Sequence, residues 1–348
     1  MVRDTLKTLK KCIFTIPYLE DVRRLIGWLL FGYRFTGGSC CWEDLYSRRL
    51  KYYSLWGAPI FNIAMIQTTS QCNRKCPFCY YGIKRSIPSA TMEDDIFKKI
   101  IYQLSSIRFT GRVSLFEINE PFTDEKILER IDYAVEKLPL AFHHLMTNGD
   151  LITEEKLIYV ADRVDRLDFN SYDQNALERN KRYIDIIKEK SVKAAIKHRN
   201  HVNRKSYLSR AGHIKKYILT DNIIGRFCEL SHQVLMISPN GDVLGCWHDF
   251  HHVNTFGNIK DRSIMDIWFS KEFKMFRHRL SLGNREFSPL CRQCDYPGYG
   301  GFTYCKIHRE KYTVKFLDRL LNFRYPKIQR HKWLFKQMMK RDNNLREE

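Results

Sequence analysis

What the chain lacks narrows the field first. It opens without a charged-then-apolar leader ending in a small-residue cleavage site, so no secretory signal is expected. The apolar run nearest the start, Leu25 to Tyr33 between Arg24 and Arg34, is far too short to span a bilayer. No internal repeat and no low-complexity tract is present, which sets aside repeat arrays and linker-like chains. Acidic residues are scarce: 39 Asp and Glu face 59 Lys and Arg, a formal net charge of +20. That imbalance directs attention to anionic partners, namely nucleic acid, a membrane surface or a phosphorylated substrate. Nucleic acid is the least favoured, because no recognition motif accompanies the charge.

What is present is a foldable chain rich in cysteine. The 348 residues are 44% apolar, enough for a sizeable core in one large domain or two modest ones. Eleven cysteines in a long chain with no leader argue against a disulfide scaffold. The expected compartment is the reducing cytoplasm, where clustered cysteines more often hold metal.

Four regions follow from the composition. Residues 1–59 are a basic, aromatic N-terminal extension with ten Lys/Arg and five Asp/Glu. Residues 60–220 alternate strand-like and helix-like segments, residues 221–305 hold a second cysteine group, and residues 306–348 form a basic tail with thirteen Lys/Arg and five Asp/Glu. In the second region, strands are predicted at Phe61–Gln67, Val113–Ile118, Ala141–Thr147, Leu167–Ser171 and Val192–Lys197. Helices are predicted at Thr91–Ser105, from a Thr123 cap to Lys137, after a Thr153 cap, and at Ala176–Lys190. A sixth strand is sought between Tyr207 and Leu219. Such alternation implies a parallel sheet or barrel, with chemistry at the C-terminal ends of the strands.

The segment Gln71-Cys72-Asn73-Arg74-Lys75-Cys76-Pro77-Phe78-Cys79-Tyr80 follows the first strand and spaces its cysteines C-x3-C-x2-C. Three thiolates on a tight loop suit three irons of a cubane and leave the fourth iron open to an external chelator. A zinc site would need a fourth ligand, for which His143 and His144 are distant candidates. With Phe78 just before the third cysteine, this loop closely resembles the motif of the radical S-adenosylmethionine (SAM) superfamily. Asn119-Glu120-Pro121 is similar to the family's Gly-Glu-Pro element, Thr147-Asn148-Gly149 to its Thr-Asn-Gly turn, and Asp168-Phe169-Asn170-Ser171 to its fourth-strand end. Each is weak alone, but they follow successive strands in order. The resemblance implies an α/β fold, a partial (β/α)6 TIM-like barrel. It implies a 4Fe–4S cluster on Cys72, Cys76 and Cys79, and S-adenosyl-L-methionine bound near Phe78, Tyr80, Asn119, Glu120, Asn148, Asn170 and Ser171. It further implies reductive cleavage of that cofactor to a 5′-deoxyadenosyl radical, with electrons from a donor such as flavodoxin or ferredoxin.

Cys228, Cys246, Cys291 and Cys294 form a second set. Met236 to Leu244 reads as a hairpin around Asn240-Gly241, placing Cys246 at the end of its returning strand. Gly257-Asn258-Ile259 and a Ser263-capped helix carrying Ile264, Ile267, Trp268 and Phe273 follow. By residues alone a zinc ribbon competes. The Cys-x12-Gly-x4-Cys spacing, the Gly-Asn-Ile turn, the Ile-Trp helix and the closing Cys-x2-Cys resemble the SPASM/twitch extension of radical SAM enzymes. The spacing is especially like that of the aminocyclitol dehydrogenase group. This implies a small C-terminal twitch/SPASM domain with a second, fully cysteine-ligated 4Fe–4S cluster.

Lys190 to Lys216 holds nine Lys/Arg and no Asp or Glu. Arg210, in Ser209-Arg210-Ala211-Gly212, is the leading candidate to bind a carboxylate or phosphate in the active site. Cys305 is a candidate hydrogen-atom donor, whereas Cys12, Cys40 and Cys41 read as small buried hydrophobes. The basic tail, with Leu317, Leu320, Trp333 and Phe335, suits either packing on the barrel or peripheral contact with an anionic membrane. The leading expectation is oxidation of an alcohol on a small polar substrate, such as a sugar, aminocyclitol or nucleotide-linked sugar. The alternatives are a sugar epimerase, a maturase acting on a ribosomally made peptide, and a non-catalytic iron–sulfur carrier.

Overall fold

Strand β1 (Ile63–Ile66) is apolar at every position because it is buried on both faces. It pairs in parallel with β2 (Arg112–Ser114) on one side and with β6 (Val234–Ile237) on the other. The computed structural model describes residues 61, 63–83, 89–190, 192–203, 209–214, 228, 230–281 and 283–296. Within these, β3 (Phe142–Thr147), β4 (Arg166–Ser171) and β5 (Ala195–Asn200) extend the parallel sheet outward from β2. Beyond β6 the sheet continues through antiparallel β7 (Asp242–Leu244) and β8 (Thr255–Asn258). The strand order is β5-β4-β3-β2-β1-β6-β7-β8.

Helices α1 (Tyr80–Ile83), α2 (Asp94–Ser106), α3 (Ile127–Lys137), α4 (Glu154–Arg163) and α5 (Gln174–Glu189) connect the parallel strands. Helix α2 buries Ile96, Phe97, Ile100, Ile101 and Leu104, the spacing of one helical face. They pack on alternate strand residues, Ala64, Ile66, Val113, Leu145, Leu167 and Phe169, in the main core. The opposite face of β1, β6 and β7 carries a smaller core of Ile63, Met65, Val234, Met236 and Leu244. The chain then passes through α6 (Leu230–Gln233), α7 (Ile264–Trp268), α8 (Lys271–Ser281) and α9 (Pro289–Arg292). Among the described residues no helix is long and apolar enough to cross a membrane.

Three expectations change. The sixth parallel strand is β6, the first arm of the predicted hairpin, not a segment within 207–219; of that segment, the described residues 209–214 form turns. The second cysteine region therefore shares the main sheet, since all four residues of β6 are buried and find a backbone partner on β1. Thr123 does not cap α3: it ends a 3-10 turn, and its hydroxyl donates to the Glu120 and Gln71 carbonyls. The fifth strand starts at Ala195 instead of Val192.

One polar cluster lies on the face opposite the helices. Asp168, fully buried, accepts from Arg166 Nη2 at 3.0 Å and from Arg199 Nη2 at 2.9 Å, and His144 Nε2 lies 3.4 Å away. Burial would raise Asp168; the Arg166 and Arg199 guanidinium groups overturn this and hold it well below the usual carboxylate range. Burial also pushes His144 down to about 3, so it is neutral and the arginines neutralise the carboxylate. Because Asp168 is lowered, its stabilisation is complete at neutral pH and fades only as pH falls below about 4. Asp168→Asn is expected to cost about 3–5 kcal/mol at neutral pH, read from the denaturation midpoint.

Candidate active site

The loop after β1 carries Cys72, Cys76 and Cys79, all free and half-buried. Short backbone turns shape it: the Cys79 N–H donates to the Cys76 carbonyl at 3.1 Å, and the Gly82 N–H to the Cys79 carbonyl at 3.1 Å. A Cβ on Gly82 would sit 2.4 Å from the Cys76 carbonyl oxygen, so only glycine lets α1 lie this close to the loop. Side chains pin the loop to the turn after β3. Arg74 pairs with Asp150, donating from Nη2 at 2.7 Å, and reaches Asp173 with Nη1. Asn73 donates to Asp150 at 2.9 Å and accepts from Asn148 at 2.8 Å.

Burial pushes the Cys72 thiol up to about 11 and Cys76 up to about 12, and raises Cys79 as well. Such thiolates persist only with a compensating cation, which a metal centre supplies. Among the described residues no three His, Cys, Asp or Glu side chains converge on one ion. A cubane instead offers each thiolate its own iron, so the donor set fits a 4Fe–4S cluster.

The Glu120 side chain joins the turns after β2 and β3. Its carboxylate accepts from the Thr147 hydroxyl at 2.7 Å, the Asn148 N–H at 2.8 Å and the Phe122 N–H at 3.3 Å. Its own N–H donates to the Gln71 carbonyl at 3.0 Å. It is 2% exposed, and burial pushes it up to about 7 against those three donors. No cation pairs with it among the described residues, so an ammonium is the partner it suits. Asn119 Oδ1 accepts from the Glu117 N–H at 2.8 Å, while its Nδ2 is buried without a partner among the described residues. Gly149 sits at φ +82°, and a Cβ there would meet Asn180 Oδ1 at 2.1 Å.

Cys246, Cys291 and Cys294 each lie close enough to Cys228 to be raised by it. Burial comes first, and it pushes Cys291 up to about 11, Cys294 up to about 12 and Cys246 well above its usual range. Backbone N–H groups of His248 and Tyr296 donate to the Cys246 and Cys294 sulfurs, each at 3.4 Å. Buried Arg285 supplies positive charge beside Cys291 and Cys294. Three desolvated thiols beside Cys228, with N–H···S donors and a guanidinium, fit a fully ligated cluster.

Between the two cysteine groups lies the turn at 209–214. Arg210 and Ala211 hold φ of +55° and +58°, a costly conformation for residues with a Cβ. The turn is clamped: the Ser209 N–H donates to Asp295 Oδ2 at 2.8 Å and the Gly212 N–H to Ser209 Oγ at 2.8 Å. Arg210 is an electrostatic neighbour of Cys79, Glu117 and His248. Sequence reasoning did not single out Glu117 or His248. Burial pushes Glu117 up to about 8 against the pull of Arg210 and the Ile118 amide.

Not every expected cofactor residue faces this space. Ser171 is 0% exposed, and its hydroxyl is taken by His198, Asn180 and the Ala176 carbonyl. Strand alternation turns it to the helices, while its neighbour Asn170 faces the other way and meets His201 at 3.2 Å. The Tyr80 ring is 1% exposed, stacked on Phe250 at 4.8 Å and paired with His251, so it joins the cysteine loop to the second region. Phe78 packs at 5.3 Å on Tyr172, which stacks on His201. Cys12, Cys40, Cys41 and Cys305 lie outside the described residues.

Residues 66–201 match the family model of the radical SAM superfamily, and residues 228–295 match the SPASM model, an iron–sulfur cluster-binding domain. The chain thus carries a radical SAM domain followed by a SPASM domain, and is a radical SAM enzyme working with 4Fe–4S clusters and S-adenosylmethionine. An S-adenosyl-L-methionine-dependent 2-deoxy-scyllo-inosamine dehydrogenase of Niallia circulans is 28% identical over 240 residues, 68% of this chain and 93% of that protein. The crystal structure of BtrN with AdoMet and 2-DOIA is similar at 25% identity and TM-score 0.56, covering 68% of this chain and 93% of that one. BtrN in an open conformation matches at 24% identity and TM-score 0.52, covering 68% and 92%.

Two outcomes test the site. Anaerobic reconstitution should give roughly eight irons per chain, falling by about half when Cys72, Cys76 and Cys79 are changed together to Ala, and by about half when Cys291 and Cys294 are. Glu120→Gln should weaken S-adenosylmethionine binding about tenfold or more while iron content holds. With Glu120 as the expected acceptor for the cofactor's amino end, wild-type affinity should rise as pH climbs through about 7, measured by equilibrium binding without reductant.

Proposed function

We propose that this enzyme oxidises a secondary alcohol on a small polar ring, an aminocyclitol or a related sugar, to a ketone. The observation that carries this reading is the second cysteine group. Four thiols share it, so a cluster bound there keeps no iron open for a substrate and is suited to accepting an electron. When bound, S-adenosylmethionine and the first cluster supply a radical that removes hydrogen from carbon. The chain's own residues do the rest. Cys72, Cys76 and Cys79 hold the first cluster, and Glu120 and Asn119 receive the cofactor's amino end. The Arg74–Asp150 and Asn73–Asn148 contacts keep that loop against the turn after β3. Arg210, strained and clamped beneath the second cysteine group, orients the substrate between the two centres. The likeness to a 2-deoxy-scyllo-inosamine dehydrogenase supports the same chemistry.

Reduction of the first cluster calls for an external one-electron donor such as flavodoxin or ferredoxin, and a cytoplasmic setting suits that need. Contact of the basic tail with an anionic membrane remains a separate proposal that falls on 306–348, outside the described residues.

Mass spectrometry of the product with 2-deoxy-scyllo-inosamine as substrate tests the reading. The product should be two hydrogens lighter, and Cys305→Ala should turn over as the wild type does. Deuterium uptake from solvent at unchanged mass balance, lost in Cys305→Ala, would show epimerisation instead.

A further inference from the structure

Glu117 and Arg210 present an incomplete arrangement. Each is half-buried and within electrostatic reach of the other, yet neither forms an ion pair among the described residues. Opposite charges in a partly desolvated space attract strongly, so something must keep them apart. The backbone does. Glu117 follows β2, where its N–H is tied to the Asn119 side chain at 2.8 Å. Arg210 rides the left-handed turn that Asp295 holds through the Ser209 N–H. A Cβ on Gly212 in that turn would sit 2.8 Å from Gln293 Cβ, so the turn has no room to slide on the Cys291–Cys294 segment. Both charged groups act on Cys79, in opposite senses, so the gap between them borders the first cysteine group.

A third group supplies an independent pointer. His248 is 1% exposed and an electrostatic neighbour of Arg210. Its Nε2 accepts from the Trp247 indole N–H at 3.1 Å, and an indole nitrogen can only donate. The ring proton therefore sits on Nδ1, which is buried with no hydrogen-bond partner among the described residues. An orphaned buried donor beside a split charge pair is the signature of a missing polar ligand.

We propose that Glu117 is a specificity-determining residue, receiving an ammonium or hydroxyl donor of the substrate while Arg210, across the gap, binds an oxygen acceptor of the same ring. With Glu117 ionised against a ligand ammonium, its charge and that of Arg210 cancel, so the site takes amino- and hydroxy-substituted rings and rejects phosphate esters. His248 adds a second donor on the Arg210 side. Across the gap Arg210 only partly offsets the desolvation that favours the protonated Glu117 carboxyl; a ligand ammonium in direct contact favours the ionised form. The inference rests on the oxidation reading and narrows it: the chain's net charge of +20 is not what meets the reacting ring.

The test is equilibrium binding to the reconstituted enzyme with S-adenosylmethionine and no reductant, so that nothing turns over. The probes are 2-deoxy-scyllo-inosamine, scyllo-inositol and myo-inositol 1-phosphate. Wild type should bind them in that order of decreasing affinity. Glu117→Gln, of the same shape but unable to ionise, should lose about tenfold or more for the amine and about threefold or less for scyllo-inositol. Glu117→Asp, which keeps the charge, should fall between wild type and Glu117→Gln. Equal loss in both variants, or wild-type amine binding in Glu117→Gln, overturns the assignment of Glu117. Tightest binding of the phosphate by wild type overturns the neutral-site inference. No binding of any probe by wild type overturns the aminocyclitol reading and this proposal with it.

Discussion

The carboxylate of Glu120 accepts from Thr147, Asn148 and Phe122, while the Glu120 N–H is spent on Gln71. These contacts join three segments that follow three different strands: the cysteine loop, the turn after β2 and the turn after β3. A buried carboxylate needs several donors to be tolerable, and each donor here comes from a piece that must be fixed for cofactor binding. Remove the carboxylate and three N–H or O–H groups are orphaned at once. The Arg74–Asp150 pair, backed by Asn73 and Arg179, makes a second tie between the same loop and turn at the protein surface. Because that pair is part-exposed, it contributes orientation more than stability.

Positive charge is placed with the cysteines. Arg74 and Arg210 act on the first group and Arg285 on the second. Thiolates are the species that bind iron, and burial opposes them, so guanidinium groups offset part of that cost before any metal arrives. Arginine suits the task, since it stays charged when desolvated. Part of the chain's basic charge is thus used locally, in a few fixed positions.

The second cysteine group is joined to the first by continuous structure. β6 pairs with β1, the strand that leads into the first cysteine loop, and β7 leads into Cys246. Tyr80 and Phe250 stack across the two regions. The 209–214 turn is bonded to Asp295, next to Cys294. A rigid sheet and a clamped turn fix the spacing of the two groups more firmly than a flexible domain linker would, which is what two centres serving one substrate require.

The sequence by itself determined the chemistry. C-x3-C-x2-C after an apolar run, Asn-Glu-Pro and Thr-Asn-Gly after later runs, and four further cysteines around an Asn-Gly hairpin were legible because covalent spacing and periodicity are local properties. The same local signals located the helices, with ends one to four residues off where a side chain was drawn elsewhere, as Thr123 was by Gln71. Tertiary structure decided what depends on distant partners. Ser171 and Asn170 are neighbours in the chain, yet alternation and the position of α5 send one to the helices and the other to the opposite face. β6 looked like half of a separate hairpin and is the sixth parallel strand, because only the folded sheet reveals the free edge of β1. Glu117 and His248 carry no motif at all. They become visible once the fold brings them beside Arg210, since an unmade hydrogen bond or ion pair is a property of three-dimensional surroundings, not of the chain.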